Sequence, residues 1–388
     1  MVRLLGAATL VALIACSCAS TAPALPTAGS PRATAHAPVL VLPPGVIAPG
    51  GTLLLGDLHG TREIPAFVGQ VVAALVATQP VVLGLEILRD QVPSLDTYLA
   101  SDGGPAARAA ALRDPWWQAE YQDGRRSLAM LDLLDTVRRL RAGGARVDIV
   151  CFDANATGPD GAAGRDAAMA ANLIAARSAR PDATLVAYAG NAHTRRSAMP
   201  KRPDYQWMAM LLAKAGISFV TINAHYTEGS AWICQGGGAS GCGPTMLGGS
   251  GDANGVHLEP GTEGAYDGWF GVGAITASPP AAFPALAVGL DAKLAAMRAS
   301  SAGRKRAMQA YRDKQYAQCA DELGKLPPTA NDVYSQACCL ALAGNKDAAF
   351  DRLHAAIALG FNDADTLATD TDLAALRDDP RWQATTRR

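Results

Sequence analysis

Two apolar runs in this chain end in the same motif, Gly-x-x-His, and this repetition constrains the fold more than any other feature. The first run is TLLLGDLHG, Thr52–Gly60, and the second is TLVAYAGNAH, Thr184–His193. Each starts as a buried strand and stops abruptly in polar residues, which is typical of parallel strands that carry chemistry at their carboxyl ends. We expect the glycine of each motif to permit a sharp turn off its strand. Two such strands in one parallel sheet would bring His59 and His193 to the same edge.

Three further apolar runs, Pro80–Ile87, Arg146–Asp153 and Ile217–Ala224, alternate with segments of helical apolar spacing. Strands that alternate with helices predict the α/β class, with a mainly parallel sheet flanked by helices on both faces. Glu86 lies near the end of the first of these runs, and Asp153 ends the second. The sequence therefore predicts that these two acids join the histidines at one edge of the sheet.

The N-terminal residues indicate a targeting segment. Arg3 precedes the apolar run Leu4–Ala15, which is too short to span a membrane and fits a secretory signal peptide, residues 1–15. The run ends in Leu-Ile-Ala-Cys, which resembles a bacterial lipobox, so we expect Cys16 to be lipidated. Cleavage of an ordinary signal peptide near Ala19 is the alternative. Ser17, after the cysteine, resembles the signal for sorting to the outer membrane, so the expected location is the cell envelope, facing the periplasm.

Composition suggests how the rest of the chain is organised. Residues 16–48 are rich in Ala, Pro, Thr and Ser and are predicted to form a disordered tether between the lipid anchor and the α/β domain, residues 49–285. The formal net charge is −1, without a basic stripe, so nucleic acid is not expected as a partner. An exported chain meets an oxidising environment, and Cys234 and Cys242 flank a Gly-rich stretch. We expect them to form a disulfide within an insertion, residues 229–268, that is either a surface hairpin or a long loop.

Residues 286–388 form a second, all-helical region. Helical spacing covers 308–323, 330–342 and 346–359, with small and aromatic residues where paired helices would pack. This pattern resembles a tetratricopeptide (TPR) unit, which implies a protein partner, self-association or a packed C-terminal cap. Cys319 could bridge to either Cys338 or Cys339, whereas Cys151 lies in an apolar strand and is predicted to be a buried thiol.

Five segments of the α/β domain together resemble the Tiki superfamily: GDLHGTREIP, GLEI, DPWWQAEYQDGRRS, RDAAMAANL and AGNAH. The superfamily includes Tiki-type metalloproteases, TraB-like proteins, erythromycin-esterase-like enzymes and ChaN-like haem-binding lipoproteins, and the resemblance covers about Gly51–Tyr226. Its markers fall on His59, Glu86 and His193, while relatives usually have Glu where this chain has the shorter Asp57. Further residues in motif-like segments or at strand ends are Glu63, Arg125, Asp153, Arg165 and Asp166. Structural salt bridges at the sheet edge are the alternative for Glu63, Arg125, Arg165 and Asp166.

Two functions follow from this pattern. The first is a hydrolase of peptide or ester bonds, in which His59 is a general base or a ligand and Glu86 orients or ligates. In that case His193 polarises the substrate or completes a site for a divalent metal, zinc or manganese. The second is a haem-binding lipoprotein of the ChaN type, with an axial His or Tyr. The available tyrosines are Tyr98, Tyr121, Tyr188 and Tyr226, and His225 could reach the same edge as the other histidines.

Overall fold

The apolar runs form the strands of a sheet in the structure, a computed structural model that describes residues 42–43, 45–155, 161–236, 238–252, 254–258 and 264–386. The strands are β1 (Thr52–Asp57), β2 (Val81–Leu88), β3 (Val147–Asp153), β4 (Thr184–Gly190), β5 (Val220–His225), β6 (Gly229–Cys234), β7 (Cys242–Leu247), β8 (Val256–His257) and β9 (Gly268–Gly271). Seven of these strands make one sheet in the order β3-β2-β4-β1-β5-β9-β8. Only the short β8 runs antiparallel to its neighbour within this described sheet. The predicted α/β class with a mainly parallel sheet is therefore confirmed.

Helices cover both faces of the sheet because each strand alternates its apolar side chains between them. The helices of this region are α1 (Glu63–Val76), α2 (Val92–Leu99), α3 (Pro105–Ala111), α4 (Leu128–Ala142), α5 (Gly161–Ala179) and α6 (Met208–Lys214). Leu53 and Leu55 of β1 point to the face covered by α1 and α4. Leu54 points to the opposite face, where it packs with Met169 of α5 and Leu212 of α6.

The Gly-rich insertion contains a hairpin. Strands β6 and β7 pair antiparallel outside the main sheet, with Cys234 opposite Cys242. These two cysteines form a disulfide. Of the two forms that the sequence allowed for this stretch, the structure has the surface hairpin, and the insertion's later residues add β8 to the edge of the main sheet.

The C-terminal region consists of α7 (Leu290–Arg312), α8 (Tyr316–Gly324), α9 (Ala330–Leu342), α10 (Lys346–Ala358), α11 (Ala364–Thr369) and α12 (Pro380–Thr386). The single helix expected over residues 308–323 is wrong. The chain turns at Lys314, which has the left-handed φ of 58°, and this turn separates α7 from α8. Successive helices then pack as neighbours, and a disulfide between Cys319 and Cys339 joins α8 to α9. Cys338 and Cys151 are buried free thiols.

Residues 1–41, which include the predicted signal peptide, Cys16 and most of the predicted tether, lie outside the described residues. In the described end of that tether, Val46 is buried and Ile47 packs against the core of the α/β domain. No helix in the described part of the chain has both the length and the apolar character needed to cross a membrane.

Candidate active site

The strand order places four chemistry-bearing strand ends side by side. β4 lies between β1 and β2, and β3 follows β2. At their carboxyl ends, β1 ends in Asp57 and is followed by His59, and β2 carries Glu86. β3 ends in Asp153, and the loop after β4 leads to His193. The residues come together at the edge where parallel α/β sheets bind ligands.

The two Gly-x-x-His motifs fit against each other. A Cβ atom at Gly190 would lie 3.0 Å from His59 Nε2, and a Cβ atom at Gly56 would lie 2.8 Å from Thr194 Oγ1. Neither glycine has a positive φ. A tight turn does follow Gly190, where the His193 N–H donates to the Gly190 carbonyl oxygen at 2.9 Å, but neither glycine is required by a left-handed backbone. A side chain is excluded at Gly190 by His59, and at Gly56 by Thr194 and by Asn223 of β5.

His59 is held between two carboxylates. Its Nδ1 lies 2.6 Å from Asp57 Oδ2, and its Nε2 lies 3.4 Å from Glu86 Oε2. Asp57 is therefore long enough to fix the imidazole, although it is one methylene shorter than Glu. Burial lowers the pKa of His59, but the charges of Glu86 and Asp57 outweigh it and raise the pKa from 6.5 to about 10. The imidazole is consequently protonated at neutral pH.

Glu86 is the centre of the site, and both of its oxygens are bonded. Oε1 accepts from Arg165 at 2.6 Å and from Arg125 at 3.2 Å, while Oε2 accepts from the Gly190 N–H at 2.7 Å. Burial favours the protonated acid, but the charge and hydrogen bond of His59 and the charge of Arg125 keep the pKa of Glu86 well below its usual 4.5. Glu86 is therefore an ionised anchor for the donors around it.

The two arginines share a second buried acid. Asp153 accepts from Arg125 at 2.7 Å and from Arg165 Nε at 2.7 Å. Arg125 is fixed further by Asp123, which accepts from its NH2 group at 2.7 Å. Burial raises the pKa of Asp123, but the charge of Arg125 outweighs that effect, so the net shift is downward. Both guanidinium groups are thus locked in place before any ligand arrives.

His193 is oriented from both sides. Asp166 Oδ1 lies 2.7 Å from its Nδ1, and Arg165 NH1 lies 3.1 Å from its Nε2. Since a guanidinium can only donate, Nε2 accepts and the ring hydrogen is on Nδ1, directed at Asp166. Asp166 also accepts from the Tyr205 hydroxyl at 2.7 Å and from the Met208 N–H at 2.8 Å.

The site residues predicted from the sequence do not all meet. Asp57, His59, Glu86 and His193 lie together, and so do the secondary candidates Arg125, Asp153, Arg165 and Asp166. Glu63 lies elsewhere: its carboxylate accepts from the Thr276 N–H at 2.8 Å, and burial raises its pKa. His225 stacks on Trp269, with ring centroids 5.3 Å apart.

Sequence reasoning missed two contributors, Asp123 and the Gly190 N–H, and it considered Tyr188 only as a possible haem ligand. Asp123 precedes Arg125 by two residues within the family-like stretch DPWWQAEYQDGRRS, so its position beside Arg125 in the sequence is a usable signal. Tyr188 is buried beside Asp57. Burial, the Asp57 carboxylate and Glu86 raise the pKa of this tyrosine well above 10. The Gly190 N–H, as a backbone group, leaves no trace in the sequence.

The residues predicted to bind a divalent metal do not fit one. A tetrahedral zinc ion needs its ligand atoms about 2.0–2.2 Å from one point. Here the two histidines approach opposite oxygens of Glu86, at 3.4 and 4.0 Å, and Arg165 donates to both Glu86 and His193. A guanidinium thus lies where the shared ion would be. Among the described residues, the three ligand-type side chains that do converge are Cys338, Asp370 and Asp372, in the C-terminal helices.

The histidines do not fit a haem iron either. An axial ligand needs an unprotonated ring nitrogen that is free to bind, but both nitrogens of His193 are hydrogen-bonded and the His59 imidazole is protonated at neutral pH. Among the tyrosines considered from the sequence, Tyr98 donates to Asp135 and Tyr188 is buried beside Asp57. No observation in the described residues favours the haem-carrier hypothesis over the hydrolase.

Comparisons with known proteins give distant likenesses only. No family model matches the chain, and no curated protein matches it. A solved Bacillus cereus protein is 16% identical with a TM-score of 0.45, covering 60% of this chain and 90% of its own. A mutant erythromycin esterase in its open conformation is 12% identical with a TM-score of 0.43, covering 60% and 92%. A succinoglycan biosynthesis protein is 11% identical with a TM-score of 0.40, covering 58% and 88%. TM-scores below 0.5 carry no argument about activity.

Proposed function

We propose that this chain is a metal-independent hydrolase of ester or peptide bonds. The observation that carries the proposal is that partly exposed cationic side chains lie above nearly buried carboxylates at the sheet edge. The side chains of His59, Arg125 and Arg165 are 22%, 18% and 19% exposed, whereas Glu86 and Asp153 beneath them are 4% and 3% exposed. Ligands therefore meet fixed hydrogen-bond donors that rest on buried carboxylates.

Such a surface is complementary to an oxygen that gains negative charge. When water attacks an ester or amide carbonyl, the carbonyl oxygen becomes an oxyanion, and donors already aimed at it stabilise the transition state. Arg125 and Arg165 supply these donors, and the bonds to Glu86 and Asp153 remove the need for reorganisation. Removing one oxyanion donor in such sites costs about 10²–10³ in rate.

His59 supplies the proton transfer. Its Nδ1 is fixed by Asp57, so Nε2 is the atom that takes a proton from the attacking water and returns it to the leaving alcohol or amine. Only the neutral imidazole can accept that proton. Because the pKa of His59 is about 10, the neutral form is a minority at pH 7 and the rate should rise with pH. His193 does not act on the substrate in this scheme: it positions Arg165.

The test is hydrolysis of p-nitrophenyl butyrate and a panel of quenched fluorescent peptides by purified protein. His59→Gln should lose at least about 10²-fold in kcat/KM, in line with the contribution of a general base. The matched control is His225→Gln, a histidine that lies outside the site, and it should retain wild-type activity. A chelator such as EDTA should change nothing. Hydrolysis that survives in His59→Gln, or that is lost on chelation, would contradict the proposal.

The anchor at Cys16 and the periplasmic face of the outer membrane stay predictions, since these residues lie outside the described part of the chain. They belong to the same proposal, as they would place the enzyme on a substrate of the cell envelope. Labelling cells with radioactive palmitate tests the anchor. Wild type should incorporate label and fractionate with the outer membrane, and Cys16→Ser should do neither.

A further inference from the structure

Trp232, in the hairpin strand β6, touches the loop that carries His59 although the hairpin is separate from the main sheet. The Trp232 N–H donates to the Gly60 carbonyl oxygen at 2.8 Å. Gly60 directly follows His59 and has a φ of +78°, and a Cβ atom there would overlap the Trp232 carbonyl. The backbone of β6 is therefore in direct contact with the residue that follows His59 in the chain.

The same tryptophan touches the loop that carries Arg125. Gly124 directly precedes Arg125 and has a φ of +95°. A Cβ atom at Gly124 would lie 2.6 Å from Gly60 Cα and 2.7 Å from the Trp232 oxygen. Three backbones thus meet without room for a side chain, so movement of Trp232 must displace the residues next to His59 and Arg125.

The side chain of Trp232 connects this contact to the C-terminal helices. It is 5% exposed and packs in one apolar cluster with Ala277 and with Leu290 and Leu294 of α7. The connection is reinforced on either side of the cluster. Arg62 pairs with Asp291 at 3.1 Å, and Lys305 of α7 forms an ion pair with Glu228, next to the start of β6.

We propose that Trp232 is a positioning residue for His59 and Arg125, and that helix α7 supports the active site by holding Trp232 in place. The C-terminal helical region then supports the active site through its first helix, α7, which packs against Trp232. The inference rests on the proposed function for its catalytic consequence, but the geometry it describes can be tested without any substrate.

The experiment compares two buried leucines of the C-terminal helices. Leu294→Ala opens a cavity in the apolar cluster that contains Trp232. Leu353→Ala is the matched control, because it opens a similar cavity in α10, within the separate core of α9 and α10. The readouts are amide exchange of the Trp232 and Ser278 N–H groups, which both donate to Gly60 O, and the NMR titration of His59. Hydrolysis of p-nitrophenyl butyrate is the third readout.

Leu294→Ala should speed exchange of both amides, lower the midpoint of the His59 titration and reduce kcat about ten- to a hundredfold, as expected for a small misplacement of catalytic groups. Leu353→Ala should leave all three as in wild type, and Trp232→Phe should fall between. Equal effects of the two leucine changes, or a folded Leu294→Ala variant with wild-type exchange and titration, would overturn the inference. If wild type hydrolyses nothing, the proposed function fails, and exchange and titration still decide the positioning role.

Discussion

The charge state of His59 leads to a quantitative prediction about stability. In the unfolded chain its pKa is about 6.5, and in the folded protein it is about 10. A group whose pKa is raised on folding stabilises the protein fully below the unfolded value, and this contribution is lost as pH rises through the folded value. Between pH 6.5 and 10 the free energy of unfolding should therefore fall by about 1.4 kcal/mol per pH unit because of this one residue.

Urea unfolding at pH 7.0, 7.5, 8.0 and 8.5 measures this slope. Wild type should lose roughly 2 kcal/mol over the range relative to His59→Gln, in which the titrating group is absent. Cys151 also makes the free energy of unfolding depend on pH. Burial raises the pKa of its thiol to about 12 in the folded protein, whereas in the unfolded chain it ionises at about pH 8.5 and so favours unfolding above that pH. The upper limit of pH 8.5 keeps that contribution small, and the comparison with His59→Gln removes what remains.

Asp57→Asn isolates one of the two carboxylates that hold the proton. Asp57 contributes the 2.6 Å contact, and Glu86 remains at 3.4 Å. The pKa of His59 should fall in this variant, so the pH-dependent loss should be complete at a lower pH than in wild type. Parallel stability curves for wild type and His59→Gln, within about 0.5 kcal/mol over the range, would refute the assignment of a protonated imidazole.

Three further predictions test the site and its surroundings. Arg165→Lys should lower kcat/KM for p-nitrophenyl butyrate about 10²-fold while circular dichroism stays unchanged, because a lysine cannot reproduce the forked contacts of the guanidinium. Gly60→Ala should lower the free energy of unfolding by more than about 2 kcal/mol in urea titrations, since a left-handed φ and an overlap with the Trp232 carbonyl add together. Replacing Cys234 and Cys242 together by serine should cost about 2–3 kcal/mol by the same assay, the stability expected from a disulfide that closes so short a loop; a loss below 0.5 kcal/mol would show that the hairpin is held by its packing alone.

The sequence alone predicted the parts of the fold that depend on local pattern. The α/β class could be predicted because apolar runs of strand length alternate with segments whose apolar residues have helical spacing. Both patterns are visible in the sequence without knowledge of the tertiary structure. The turn at Lys314 was not predicted, because a left-handed residue other than glycine has no strong sequence signal. Cys319 had two possible partners in sequence, and the packing of α8 against α9 selected Cys339.

The site shows the same division between local pattern and tertiary order. The two Gly-x-x-His motifs marked His59 and His193 because each lies directly after an apolar run. Only the strand order, with β4 between β1 and β2, decided that Gly190 lies under His59. The tertiary structure also places Arg165 between His193 and Glu86, where a metal shared by these two residues would have to bind. A sequence specifies which residues end each strand, whereas the distances between those ends depend on how strands from distant parts of the chain pair. For that reason the histidines and most of the charged residues of the site could be predicted from the sequence, whereas Asp123, the Gly190 N–H and all the distances depend on the tertiary structure.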